Sequence, residues 1–235
     1  MLAIFKREVK SYFYSPIAYV LLGLSIFLFS VFFYLSNIQY QSADFNQVFS
    51  TISFILIFIV PIMTMRVLAE DRKNGTEVLL ISSPASLGEI VVGKYLAMLF
   101  VFLVMTCLIT IYPMVIFIFG QPPIAPLIGS FIGFILLGAA LISIGVFASS
   151  LTENQVIAVV ISFVMILLIW IIDPIGNALG GFGSTVLNWF SLTSRYNDFT
   201  SGMLNIPSII YYLSFITVFL FLTIRVIEKR RWSQG

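Results

Sequence analysis

The sequence contains no histidine, and a single cysteine, Cys107, in 235 residues. Without histidine the commonest metal ligand and the commonest general base are missing, and a lone cysteine cannot close an internal disulfide. Zinc and haem centres and histidine-dependent catalysis are therefore excluded on composition. Charge is also scarce. Lys, Arg, Asp and Glu make up 9% of the chain, and 12 basic against 10 acidic residues leave a formal net charge of +2. That is too little to form the basic footprint of a nucleic-acid binder, so no nucleic acid is expected as a partner. The patterns H-E-x-x-H and G-x-S-x-G are absent, which argues against an intramembrane enzyme. No small-residue cleavage site follows the first apolar run, which continues into Phe29, Phe32, Phe33 and Tyr34. The first segment is expected to stay in the membrane and not to be removed as a leader.

What the chain has in abundance is apolar surface. Hydrophobic residues make up 60% of it, and the mean hydropathy is +1.09, far outside the range of soluble domains. A helix needs roughly 20 apolar residues to cross a hydrocarbon core of about 30 Å. Six runs qualify: Ile17 to Leu35, Val48 to Met65, Tyr95 to Phe119, Leu127 to Phe147, Val156 to Ile172 and Ile209 to Ile224. Strand-like alternation is missing, and only helices then satisfy the backbone in lipid. The fold class is an all-α membrane protein of six transmembrane helices, forming a single transmembrane domain over 1–235. Lys6, Arg7, Lys10, Arg66, Arg72, Lys73, Lys94, Arg225, Lys229, Arg230 and Arg231 fall on one side of this arrangement and Arg195 alone on the other. Basic residues are retained on the cytoplasmic side, so both termini are expected there.

Three segments outside the spans carry distinct patterns. In 1–15, Leu2, Phe5, Val9 and Tyr12 recur at helical spacing opposite Lys6, Arg7, Lys10 and Ser11, which suits an amphipathic helix lying among lipid headgroups until Ser15-Pro16 turns the chain inward. In 70–94, the only long cytoplasmic connection, Asn74-Gly75 signals a turn. Thr76 can cap a short helix from Glu77 to Ser82, and Pro84 stops it. Ser86 and Glu89 have capping-box spacing for a helix that continues as the third span. The short helix would leave Val78, Leu79, Leu80 and Ile81 with neither lipid nor core to cover them, and such a surface needs a partner. Gly88, Gly93 and Lys94 match the opening of a phosphate-binding loop, but Tyr95 stands where a Ser or Thr hydroxyl should meet magnesium. Nucleotide is not expected on this chain. The third segment, 173–207, is too long for a plain connection; it carries Gly176, Gly180, Gly181, Gly183, Trp189, Phe190 and Tyr196, with Arg195 and Asp198 spaced to pair on one helical face.

The run Ala69-Glu70-Asp71-Arg72-Lys73-Asn74-Gly75-Thr76-Glu77-Val78-Leu79-Leu80, followed by Ser83-Pro84 and Gly93-Lys94, resembles the first cytoplasmic loop of type-2 ATP-binding-cassette (ABC) exporter permeases. The amphipathic start, Leu151-Thr152-Glu153-Asn154-Gln155 and the basic end Glu228-Lys229-Arg230-Arg231-Trp232 continue the resemblance over essentially the whole chain. Within that family it is most similar to permeases associated with bacterial gliding motility. The resemblance implies a subunit of the bacterial inner (cytoplasmic) membrane that pairs with a second permease subunit, as a homodimer or a homologous heterodimer. Separate cytoplasmic ABC ATPase subunits would hold ATP and Mg, with no cofactor on this chain. It also implies that 70–94 contains the coupling helix, with Glu70, Arg72, Thr76, Glu77, Leu79 and Leu80 facing the ATPase, and that Glu153 marks a second, smaller contact. In 173–207 it implies short re-entrant helices closing the outer end of the pathway.

The remaining motifs have structural explanations. Thr152 and Gln155 have capping-box spacing, with Glu153 in the first turn of span five where the helix dipole favours an anion. Asp173, beside Pro174, fits a helix end facing water, and almost no other ionisable group lies inside a span, which argues against an ion-coupled carrier. Gly129, Gly133, Gly138, Gly145 and Ser149 give span four a small-residue face for close packing. Phe131 is expected to meet lipid or a tolerant gap, and Phe27, Phe29, Phe32 and Phe33 to be lipid-facing or packing residues. The substrate is not legible. The competing reading is a membrane scaffold or assembly factor that recruits a cytoplasmic partner without transporting anything.

Overall fold

The structure is a computed structural model that describes residues 1–77, 85–179 and 191–233. Among these residues there are helices and turns and no strands. Helix α1 (Leu2–Tyr14) stops at Ser15, whose extended backbone and side chain start α2 (Pro16–Phe33): Ser15 Oγ accepts from the Ile17 amide, and Pro16 occupies the first turn, where its missing N–H has no helical partner to lose. A π-helical turn (Tyr34–Ile38) ends this span, held by Asn37, whose buried amide donates to the Ser42 and Asp44 carbonyls at 2.8 and 2.9 Å. Helix α3 (Asn46–Thr64) returns, a short turn leads into α4 (Ala69–Lys73), and α5 (Leu87–Ile109) begins at Ser86. The expected capping box is formed, with the Glu89 amide donating to Ser86 Oγ at 3.2 Å and the Ser86 amide to Glu89 Oε2 at 3.1 Å.

The third span is interrupted at Thr110 and continues as α6 (Ile111–Phe119). Pro113 accounts for the break, because it has no N–H to offer the Ile109 carbonyl and its ring crowds that turn. Helices α7 (Ile124–Leu151) and α8 (Gln155–Leu179) are longer than their apolar runs, and α9 (Leu192–Thr200) precedes α10 (Ile206–Ser233), which runs well beyond the expected end at Ile224. Hydropathy ends at the last apolar residue, whereas Arg225 to Arg230 are good helix formers and simply extend the last turn outward. Six stretches are long and apolar enough to cross a membrane.

Helix α7 is the centre of the bundle, packed by α3, α5, α8, α9 and α10. Over its apolar stretch it is 72% buried, against 17% for both α8 and α10, so those two outer spans present most of their surface away from the protein. The small-residue face explains how so many neighbours reach it. A Cβ at Gly129 would stand 2.2 Å from the Phe199 carbonyl oxygen, one at Gly138 2.2 Å from the Phe102 ring, and one at Gly145 2.1 Å from Thr64 Oγ1. At Gly129 and Gly133 the close neighbour is α9, a short helix of this same chain, and not another span. Beside this face, Phe29, Phe49, Phe102 and Phe134 are fully buried, with ring centroids 5.3 to 6.4 Å apart. Phe131, expected to meet lipid or a tolerant gap, is half-buried and packs edge-on against Phe49 at 4.7 Å.

Two expectations in the 173–207 segment are corrected. Asp173 lies inside α8, which continues through Pro174 to Leu179, and its Oδ1 is buried without a hydrogen-bond partner. Arg195 and Asp198 do not pair: Arg195 stacks over the Tyr211 ring at 5.2 Å, and Asp198 accepts from Ser208 Oγ at 3.1 Å. Both side chains find their partners on α10. Gly180, Gly181, Gly183, Trp189 and Phe190 lie outside the described residues.

Candidate coupling site

One end of the bundle collects most of the charge, and α4 is its hub. This helix is too short to satisfy its own first amides, and α7 supplies the missing acceptor. Ser149 Oγ accepts from the Leu68 and Ala69 amides, both at 3.0 Å, and donates to the Met65 carbonyl at 3.0 Å. A buried hydroxyl from the central helix thus caps α4 from outside and fixes the direction in which Glu70, Asp71, Arg72 and Lys73 project. Gly75, at φ +70, then makes the turn expected from Asn74-Gly75, a backbone state that glycine adopts without strain.

From this hub the candidate residues diverge. Arg72 Nη2 meets Glu153 Oε1 at 2.6 Å, joining the first long connection to the α7–α8 turn. Glu77 Oε1 lies 3.7 Å from Arg230 Nη1, and Arg230 also donates to the Ser150 carbonyl, which brings α10 to the same place. Glu70 faces Arg66 at 4.0 Å one turn away. The Glu153 and Glu70 side chains are 58% and 44% exposed, and ion pairs this open are worth about 1 kcal/mol or less. They orient the surface without holding it shut, so their charges remain available to a partner.

Thr76 differs from expectation. It is already helical, and its hydroxyl points back, donating to Asp71 Oδ1 at 2.9 Å and to the Asp71 carbonyl at 3.2 Å, where a forward helix cap was expected. Thr76 lies inside the helical turn, so it is not in the capping position ahead of it. Glu153 is also displaced from its expected place. Helix α8 starts at Gln155, Asn154 Oδ1 accepts from the Val156 amide at 2.9 Å, and Thr152 Oγ1 accepts from the Asn154 amide at 3.1 Å. The cap is Asn154, so Glu153 projects from the turn ahead of the helix. Leu79 and Leu80, with Val78 and Ile81, lie outside the described residues.

Comparison with known sequences decides the family. The profile described as ABC-2 family transporter protein matches residues 33–228, most of the chain. The chain belongs to the ABC-2 transporter family. It is therefore a multi-pass membrane protein and the membrane subunit of an ABC transporter, the class to which ABC ATPase partners belong. A search among curated proteins returns no match.

In this ABC-2 subunit the sequence reading brings Glu70, Arg72, Thr76, Glu77 and Glu153 to one end of the bundle. It misses the residues that organise them. Lys94, dismissed with the failed phosphate-loop pattern, is 1% exposed and lies 2.5 Å from Asp71 and 3.0 Å from Glu8. Burial works against the charge of neighbouring Arg7, yet the adjacent Glu8 carboxylate, 2.6 Å away, holds the guanidinium above its usual pKa. Ser149 was visible only as one small residue in a packing face, and Arg230 only as part of a basic end.

Proposed function

We propose that this ABC-2 subunit is the permease of an ATP-driven exporter, working as a dimer with a second permease subunit and coupling ATP hydrolysis by separate cytoplasmic ATPase subunits to substrate export. Glu70, Arg72, Thr76, Glu77, Leu79, Leu80 and Glu153 form the docking surface for the ATPase. ATP and Mg belong to that partner, and this chain carries no cofactor. Both termini face the cytoplasm of a bacterium with the subunit in its inner membrane, and the gliding-motility permeases are the nearest kind. The observation that supports the reading best is the Arg72–Glu153 pair: it joins the long 70–94 connection to the short α7–α8 turn at one end of the bundle, with the Glu153 carboxylate more than half exposed.

The test is co-purification with a cassette ATPase, followed by ATP turnover with and without this chain. A captured ATPase whose turnover depends on the permease supports the reading. A stable complex without permease-dependent turnover would instead make the chain a scaffold. Within that complex, Leu79→Asp should weaken capture at least about tenfold, because an aliphatic anchor is worth about 1.5 to 3 kcal/mol and a carboxylate in its groove adds desolvation. Unchanged capture and turnover in Leu79→Asp would move the docking role away from 76–82.

A further inference from the structure

Lys94 sits where three pieces of the chain meet, and its ammonium has one oxygen neighbour from each. Glu8 Oε1 of α1 lies at 3.0 Å, the Val67 carbonyl of the turn after α3 at 2.7 Å, and Asp71 Oδ2 of α4 at 2.5 Å. Two of the three ammonium N–H groups are taken by Glu8 Oε1 and the Val67 carbonyl, and Asp71 Oδ2 adds an ion pair without hydrogen-bond geometry, all around a side chain that is 1% exposed. The Asp71 carboxylate is engaged on its other side as well, because Thr76 Oγ1 donates to Asp71 Oδ1 at 2.9 Å. Next to Lys94 the chain packs closely on α1: a Cβ at Gly93 would meet the Ile4 side chain at 3.3 Å and the Met1 carbonyl oxygen at 3.4 Å. With Arg7 on Glu8, the cluster holds two cations and two carboxylates and is electrically balanced.

Such a buried network is weak grounds for stability, since a well-packed apolar replacement of similar volume often folds as well or better. What it supplies is a fixed geometry. We propose that Lys94 is the positioning residue that locks α1, α4 and the base of α5 into one rigid unit, so that a displacement at Thr76 moves the amphipathic helix and the third span together. The source of that displacement rests on the coupling function proposed above; the lock itself is a property of the permease alone. Apart from this cluster, α1 is held by packing on α5, such as Phe5 against Phe100, and by Tyr12, whose hydroxyl donates to the Met63 carbonyl and whose ring lies under Arg66.

The decisive variant removes the ionic link without leaving a lone buried charge: Lys94→Met with Glu8→Gln and Asp71→Asn. In the purified permease, amide hydrogen exchange over 2–14 and 69–77 should accelerate by about tenfold while the melting temperature stays near the parent's. Glu8→Met alone, which keeps the Lys94–Asp71 contact, should loosen 2–14 and spare 69–77. In the complex, the triple variant should capture ATPase as the parent does but lose about tenfold of the permease-stimulated turnover. Parental exchange in both segments, or parental stimulated turnover, overturns the proposal. If the triple variant does not fold, the Glu8→Met exchange pattern decides in the same way. A parent chain that captures no ATPase would overturn the proposed function, while the exchange measurement would still decide the role of Lys94.

Discussion

At the scale of single residues, the charged end of the bundle separates groups that hold structure from groups that face outward. Ser149 belongs to the first kind. Truncation in Ser149→Ala strips the acceptor from two amides at the start of α4, and an orphaned buried donor costs about 1 to 3 kcal/mol. Denaturant titration in detergent should therefore show a loss of about 2 kcal/mol, with faster exchange at Leu68 and Ala69; a loss below about 0.5 kcal/mol would mean that α4 finds another cap. Arg72 belongs to the second kind. Its partner Glu153 is more than half exposed, so Arg72→Ala should shift stability by less than about 1 kcal/mol while weakening ATPase capture. Equal loss of stability and capture would make the pair a structural brace. The sequence showed Glu70, Arg72 and Glu153 as charges in the connections between spans, which is why they were legible. It could not show Lys94 or Glu8 as partners, because they lie 86 positions apart and only the packing of α1 on α5 joins them.

At the scale of elements, the six spans were legible because a helix in lipid must be continuously apolar, and their ends were not, because hydropathy is silent about where a polar helix continues. Pro113 was visible in the sequence, yet proline is tolerated in membrane helices often enough that the break at Thr110 depended on the packing around it. The glycines of α7 were read as a close-contact face, and the structure adds that α9 is the neighbour. Gly129→Leu must push against the Phe199 carbonyl, a backbone atom that cannot rotate away, and overpacking of this kind costs about 1 to 3 kcal/mol. An internal control is available in Gly23 of α2, where an added Cβ meets nothing within 4 Å. The melting temperature of detergent-solubilised Gly129→Leu should fall clearly below that of the parent, with new protease cleavage around 192–203, while Gly23→Leu should match the parent. Similar behaviour of the two variants would remove α9 from the packing face.

At the scale of the whole molecule, the asymmetry of charge and the topology of the helices make one prediction together. Arg66, Arg72, Lys94 and Arg230 converge on a single end of the bundle, where they meet Glu70, Glu153, Asp71 and Glu77 respectively, and Arg230 also donates to the Ser150 carbonyl. The π-helical turn after α2, the start of α3 at Asn46 and the start of α7 near Ser130 meet at the other end, where Ser130 Oγ donates to Asn46 Oδ1 at 2.6 Å and basic side chains are absent among these residues. Basic residues resist translocation, so the first end should face the cytoplasm and the second should be outside. Lys73 and Tyr40 are exposed at the two ends, and Cys107, also exposed, must first be replaced by serine to leave no competing thiol. In whole cells, an impermeant thiol reagent should label Tyr40→Cys and spare Lys73→Cys until the membrane is permeabilised. The opposite pattern would invert the subunit, placing the Arg72–Glu153 surface beyond the reach of any cytoplasmic ATPase, and coupling through that surface would fall with it.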